Sequence, residues 1–209
     1  MIPRLILLIV SLSLLGVPAW SGTLDEFQSQ LKRAGDNRAE IVRALTEVSP
    51  THREAMHFLV RWMPERDLRA LSADFLLENV RLAGEARQHA RWKISDELFF
   101  NDVVPYAVAS ERRDPWRADF YKRFRAQVDE FDASGAAALE LNRTIFNELN
   151  VHYNTGRKRP DQSPQESMEQ GRATCTGLSI ILIDACRAVG IPARMTGVRN
   201  WSDNRGNHT

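Results

Sequence analysis

The sequence predicts an α+β protein: a helical N-terminal region, a buried helix with a cysteine at its N-terminus, and the start of an antiparallel sheet. Three observations carry this expectation. Apolar residues recur at helical spacing almost without a break from Thr23 to about Val151. Leu178 to Val189 is then apolar on nearly every face, directly after Thr174 and Cys175. Gly190-Ile191-Pro192 forbids further helix, and a strand-like segment follows.

The first residues read as a processing signal. Arg4 supplies a positive start, Leu5 to Leu15 an apolar stretch, and Val17-Pro18-Ala19 or Ala19-Trp20-Ser21 the small residues of a cleavage site. The stretch is shorter than the about 20 apolar residues of a membrane helix. The expectation is a signal peptide over residues 1–21, or else an uncleaved anchor, and an exported protein, periplasmic or extracellular. No later run is long enough to span a bilayer.

Residues 22–133 read as the helical region. Leu24, Phe27 and Leu31 share one helical face, and Asp36 is placed to cap a helix with Ile41, Val42, Leu45 and Val48 inward. Ser49-Pro50 opens the next, with Met56, Leu59, Val60 and Met63 inward and Pro64 at its end. Leu68 and Leu71 follow, then Ser72 caps a helix through Phe75, Leu76, Val80 and Leu82. Ser95 caps a short one through Leu98, Phe99 and Val103, ended by Pro105. Asp114-Pro115 opens a helix bearing Trp116, Phe120, Phe124 and Val128. These signals predict six or seven helices, counting the one that Ser134 starts with Leu139, Leu141, Ile145, Phe146 and Leu149. His52, His57 and His89 fall in these helices without the i, i+4 spacing of a metal pair, and are expected to pack or face solvent.

A second domain is expected over residues 134–209. Asn154 to Pro164 is polar, turn-rich and locally basic, and reads as a long ordered loop whose Arg157, Lys158 and Arg159 are solvated or contact an anionic substrate. Ser163-Pro164 caps a short helix through Met168 that Gly171 stops. Thr174 then caps the buried helix, Ala193 to Val198 is strand-like, Asn200 to Gly206 is a hairpin loop, and Asn207-His208-Thr209 begins the returning strand.

Composition excludes more than it selects. The chain has 209 residues, with 43% apolar and 26% charged, which is ordinary globular composition. Its 28 basic and 27 acidic side chains leave a net charge of +1, so nothing in the balance calls for nucleic acid or an anionic membrane surface.

The chemistry centres on Cys175. A thiol in the first turn of a helix meets unsatisfied N–H groups and the positive end of the helix dipole, which favour the reactive thiolate and an oxyanion formed beside it. His208 returns from a hairpin and is the candidate general base. The competing reading is a small cysteine that merely packs. Cys186 lies eleven positions on, roughly 16 Å along one helix. The two thiols cannot be bridged, since that needs α-carbons within about 7 Å, nor can they share a metal. Asp184 lies about opposite Cys175 on that helix, so it is not the acid of such a site, and Arg187 or Arg194 is its expected partner.

Thr174-Cys175-Thr176-Gly177, the apolar helix, Gly190-Ile191-Pro192-Ala193-Arg194, Gly197 and Asn207-His208 together resemble the bacterial transglutaminase-like superfamily. The resemblance covers roughly Leu141 to Thr209, and Tyr153 matches a position that the family fills with a packing aromatic. It implies a papain-like fold and a Cys-His-Asp acyl-transfer site, with Cys175 as nucleophile and His208 as general base and acid, acting on a peptide or protein amide through a thioester without cofactor or metal. Hydrolysis and transfer to an amine are both open, and the alternative is a non-catalytic binding or scaffold module on the same fold. The family's aspartate follows its histidine on the next strand, whereas Asp203 precedes His208 and Thr209 is the last residue. The expectation is therefore a chain cut short inside its catalytic domain, with little or no catalysis as it stands.

Overall fold

The computed structural model describes residues 21–198. The expected signal peptide (apart from Ser21), the hairpin loop at 200–206, Asp203 and His208 lie outside the described residues. In chain order the helices are α1 (Ser21–Glu26), α2 (Gln28–Arg33), α3 (Arg38–Glu47), α4 (Arg53–Trp62), α5 (Glu65–Leu68), α6 (Ala73–His89), α7 (Asp96–Asp102), α8 (Trp116–Val128) and α9 (Ser134–Glu148). Strand β1 (His152–Tyr153), α10 (Pro164–Gln170), strand β2 (Arg172–Ala173) and α11 (Cys175–Ala188) complete the described fold, which is α+β. None of the described helices is long and apolar enough to cross a membrane.

Several caps are those the sequence predicts. The Ser72 hydroxyl accepts from the Phe75 N–H at 3.2 Å, and Ser95 accepts from Leu98 at 3.3 Å. Ser163 opens α10 with a full capping box: its hydroxyl accepts from the Glu166 N–H, and the Glu166 carboxylate accepts from the Ser163 N–H. Gly171 ends that helix in the left-handed conformation.

Other expectations need correction. The α1–α9 region has more and shorter pieces than six or seven helices, because one-turn segments such as α5 stand alone. Asp36 sits in a 3-10 turn, and Asn37 precedes α3 without capping it. The Asn37 amide donates instead to the Leu68 and Leu71 carbonyls, both at 2.9 Å, and so ties α3 to the end of α5. Ser49 opens only a 3-10 turn, with its hydroxyl engaged by Thr51 and His52. Leu139 is 62% exposed, since the inward stripe of α9 is Ala137, Leu141 and Ile145 and a step of two residues turns about 200°. No regular strand forms over 191–197, and Val198 makes an isolated bridge. The reason is a tertiary attachment: the Ala193 N–H donates to the Asp102 carbonyl at 3.0 Å and the Ala193 carbonyl accepts from Arg187 at 3.0 Å. Those groups are thus committed away from a sheet ladder. The ladder that does form is parallel, with His152 opposite Arg172 and Tyr153 opposite Ala173.

Two apolar cores meet along a polar seam. Phe27, Leu31, Ile41, Leu45, Met56 and Leu76 fill the first, between α2, α3, α4 and α6. Trp116, Phe120, Phe124, Leu141, Ile145 and Ile181 fill the second, between α8, α9 and α11. At the seam the buried Arg117 of α8 donates to the Asn79 side chain and to the Val103, Val104, Pro105 and Arg187 carbonyls at 2.9–3.3 Å. Arg187 reaches the Pro105 and Ala107 carbonyls from the other side. A buried guanidinium is tolerated only when its N–H groups are satisfied in this way. The Trp92 indole N–H closes the seam on the Gly190 carbonyl at 2.8 Å.

His52, His57 and His89 take packing and surface roles. His57 lies edge-on to Phe27, with ring centroids 5.2 Å apart, and His52 meets Ser49. The His89 ring nitrogen lies 3.3 Å from the Tyr121 hydroxyl.

Candidate functional site

Cys175 is the first residue of α11, half-buried at the point where β2 passes into the helix. Thr174 holds the cap position in an extended conformation, but its side chain does not cap. Behind Cys175, α11 is buried on most of its surface, and this anchors the first turn to the second core. Gly177 allows a close approach there. A β-carbon on it would lie 2.9 Å from the Ala173 β-carbon and 3.5 Å from the Pro160 carbonyl oxygen. The loop at 154–163 therefore runs past the first turn of α11.

That loop is ordered by side chains that periodicity does not mark. Gln162 is fully buried. Its carbonyl accepts from the Lys158 N–H at 2.9 Å, and its amide donates to the Arg172 carbonyl at 2.9 Å. The Asn154 N–H donates to the Ala173 carbonyl at 2.9 Å and continues the parallel ladder to the residue before Thr174. Asp114, expected to cap α8, instead accepts from the Gln165 N–H at 2.9 Å. Together with the Ser163–Glu166 box it satisfies the start of α10 from outside. Burial alone would raise the Glu166 carboxyl, but the Ser163 N–H and Arg159 outweigh it and hold it below the ordinary range. Tyr153 does not pack as the resemblance implies: it is 64% exposed on β1.

The two thiols differ in kind. Cys186 is buried, and burial pushes its thiol up to about 12. Asp184 is fully buried on the side of α11 away from Cys175, as the helical spacing requires. The expected pairing is not formed. Arg194 pairs with Asp102, the Arg187 N–H groups go to carbonyls, and both Asp184 oxygens lack a hydrogen-bond partner among the described residues. Burial holds the Asp184 carboxyl well above the usual carboxylate range.

Of the expected site residues, Cys175 stands at the head of α11 and His208 lies outside the described residues. No group of three or more histidine, cysteine and acidic side chains able to hold a metal occurs among the described residues. No curated protein and no solved structure matches the chain. Residues 125–209, which hold α9, the basic loop, α10 and α11, match the family model described as the transglutaminase-like superfamily, and the part of the chain that carries Cys175 is similar to a domain of that superfamily.

Proposed function

We propose that this is an exported acyl-transfer protein in which Cys175 attacks a peptide-type amide. The Cys175 sulfur forms a bond to the acyl carbon, and the carbon–nitrogen bond breaks. His208 takes the thiol proton and delivers it to the leaving amine. Water or a second amine then releases the acyl group from the thioester, so hydrolysis and transfer are two outcomes of one intermediate. The observation that supports this reading best is the position of Cys175, half-buried at the first residue of a 14-residue buried helix within the stretch similar to the transglutaminase-like superfamily. The helix start supplies the electrostatics that such a step needs.

The test is amide turnover by the full-length protein, read as amine release from a peptide pool. Cys175→Ala and His208→Ala each abolish turnover while the circular dichroism spectrum stays unchanged. Turnover retained in Cys175→Ala overturns the proposal. Export is tested by the mass of the mature N-terminus, expected to begin after Ala19 or Ser21.

A further inference from the structure

We infer that Arg157, Lys158 and Arg172 form a basic subsite beside Cys175 that takes a carboxylate of an acidic peptide substrate. The inference rests on Cys175 being the nucleophile and adds the class of substrate. It starts from where the loop at 154–163 is held. The Asn154 N–H bonds to the Ala173 carbonyl, and the Gln162 amide bonds to the Arg172 carbonyl. A β-carbon on Gly156 would lie 3.4 Å from an Arg172 guanidinium nitrogen. The Arg172 guanidinium thus lies against the loop at Gly156, next in the chain to Arg157 and Lys158, and β2 leads within two residues to Cys175. Arg172 and Cys175 are three residues apart, so their α-carbons are at most about 11 Å from each other. That is close to the about 8–10 Å over which charge is felt in ordinary salt.

The neighbouring charges separate into spent and unspent ones. Arg159 is paired with Glu166 at 2.7 Å. Asp161 accepts from the Ser110 hydroxyl, which holds its carboxyl below the ordinary range. Glu169 is exposed on α10. Among the described residues no carboxylate lies within ion-pair distance of Arg157, Lys158 or Arg172. Lys158 and Arg172 are exposed, and Arg157 is half-buried with one hydrogen bond to the Thr155 carbonyl at 3.2 Å. Three cations without a counter-charge among the described residues, two on the ordered loop and one on β2, favour an anion brought by the substrate. A carboxylate on the peptide, set against these donors, would hold the acyl group at the start of α11.

Cys175 itself reads the subsite when it is alkylated by an anionic and by a neutral reagent of similar size. The experiment uses the full chain with Cys186→Ala, so that one thiol remains, and compares second-order rate constants for iodoacetate and iodoacetamide. The ratio of iodoacetate to iodoacetamide is expected to be several-fold above that of a free thiol at low salt. It should collapse towards the free-thiol value at about 1 M salt. Arg157→Ala/Lys158→Ala/Arg172→Ala lowers the low-salt ratio by about three- to tenfold. Lys158→Ala alone, at an exposed side chain, lowers it in the same direction and covers the case in which the triple variant fails to fold. Lys93→Ala is the control. It follows Trp92, which is bonded to Gly190 at the far end of α11, about 21 Å along the axis from Cys175, and it leaves the ratio unchanged. A ratio unaltered in the basic-residue variants, with iodoacetamide still labelling Cys175, overturns the subsite and leaves the nucleophile standing. Failure of both reagents to label native Cys175 overturns both.

Discussion

Arg194 grips Asp102 with two hydrogen bonds, Nε to one carboxylate oxygen at 2.7 Å and Nη2 to the other at 2.6 Å. The Asp102 carbonyl also takes the Ala193 N–H, so one residue at the end of α7 holds the backbone and the side chain of the segment that follows α11. The helical region is in this way fastened to Gly190-Ile191-Pro192-Ala193-Arg194, the segment on which the family resemblance rests.

The Asp102 side chain is 4% exposed and Arg194 is its salt-bridge partner. Removing Arg194 leaves the buried Asp102 carboxylate without its counter-charge, whereas Arg194, 63% exposed, is solvated when Asp102 is removed, so the two substitutions are not additive. Asp102→Ala and Arg194→Ala each lower the denaturation midpoint, and the double variant is less destabilised than the sum. Urea titrations of the four proteins in the cycle measure this. Additive effects would show that the pair is not energetically coupled.

Asp184 calls for a different experiment, because it is a buried carboxyl with no hydrogen-bond partner for either oxygen among the described residues. Its pKa is raised in the folded protein, so the folded state binds the proton more tightly than the unfolded state. The stability from this group is fully present below the unfolded value of about 3.9 and is lost as pH rises towards the raised value. Asp184→Asn keeps the shape and removes the titration. At pH 7 the variant is expected to gain on the order of 1–3 kcal/mol over the parent. The difference shrinks as pH falls towards 4. Parallel pH profiles for variant and parent would sink this account.

Asp184 also shows where sequence reading stops. Helix periodicity placed it opposite Cys175, because a rotation of 100° per residue is local geometry. Its partner is a tertiary matter. Arg194 was taken by Asp102, 92 positions earlier in the chain, and no local pattern encodes a contact of that range. The same division runs through the caps. Ser72, Ser95 and Ser163 bond within their own first turns, and all three were legible. Asp114 carries the same local signal but was drawn off by α10, and Asp36, the expected cap of α3, lies in a 3-10 turn while its neighbour Asn37 bonds to the end of α5. The place of Cys175 at the head of α11 was legible because a polar residue, a thiol and an apolar run lie next to one another. The Gln162 hub that fixes the loop beside it was not, since a lone glutamine in a polar loop looks like any other solvated residue.

Gly190 and Gly135 provide opposite outcomes for the same substitution. Gly190 has φ +82, and a β-carbon there would stand 2.6 Å from the Ala86 carbonyl oxygen of α6. Gly190→Ala combines left-handed backbone strain with a backbone clash at the seam and is expected to cost about 2–4 kcal/mol. Gly135, in the first turn of α9, has nothing within 4 Å of the added carbon. Gly135→Ala is expected to stabilise by about 0.5–1 kcal/mol. Chemical denaturation of both variants checks the pair, and a neutral Gly190→Ala would contradict the close approach of α6 to the end of α11.

The two thiols form the last contrast, since they sit on one helix and differ mainly in exposure. Cys186 is 4% exposed, with its thiol pushed up to about 12, whereas an ordinary thiol titrates near 8.5. At neutral pH its thiolate fraction is lower than an ordinary cysteine's by about 10³, before any steric barrier is counted. Native protein treated with an aromatic disulfide reagent therefore labels at Cys175 and not at Cys186. Cys175→Ser removes the native-state signal, and Cys186→Ala leaves it. Cys186 reacts only when α11 leaves the second core, so its labelling rate rises with urea in step with global unfolding. Fast labelling of Cys186 under native conditions would mean that α11 opens on its own. The first turn that presents Cys175 would then lack the rigid support on which the proposed chemistry depends.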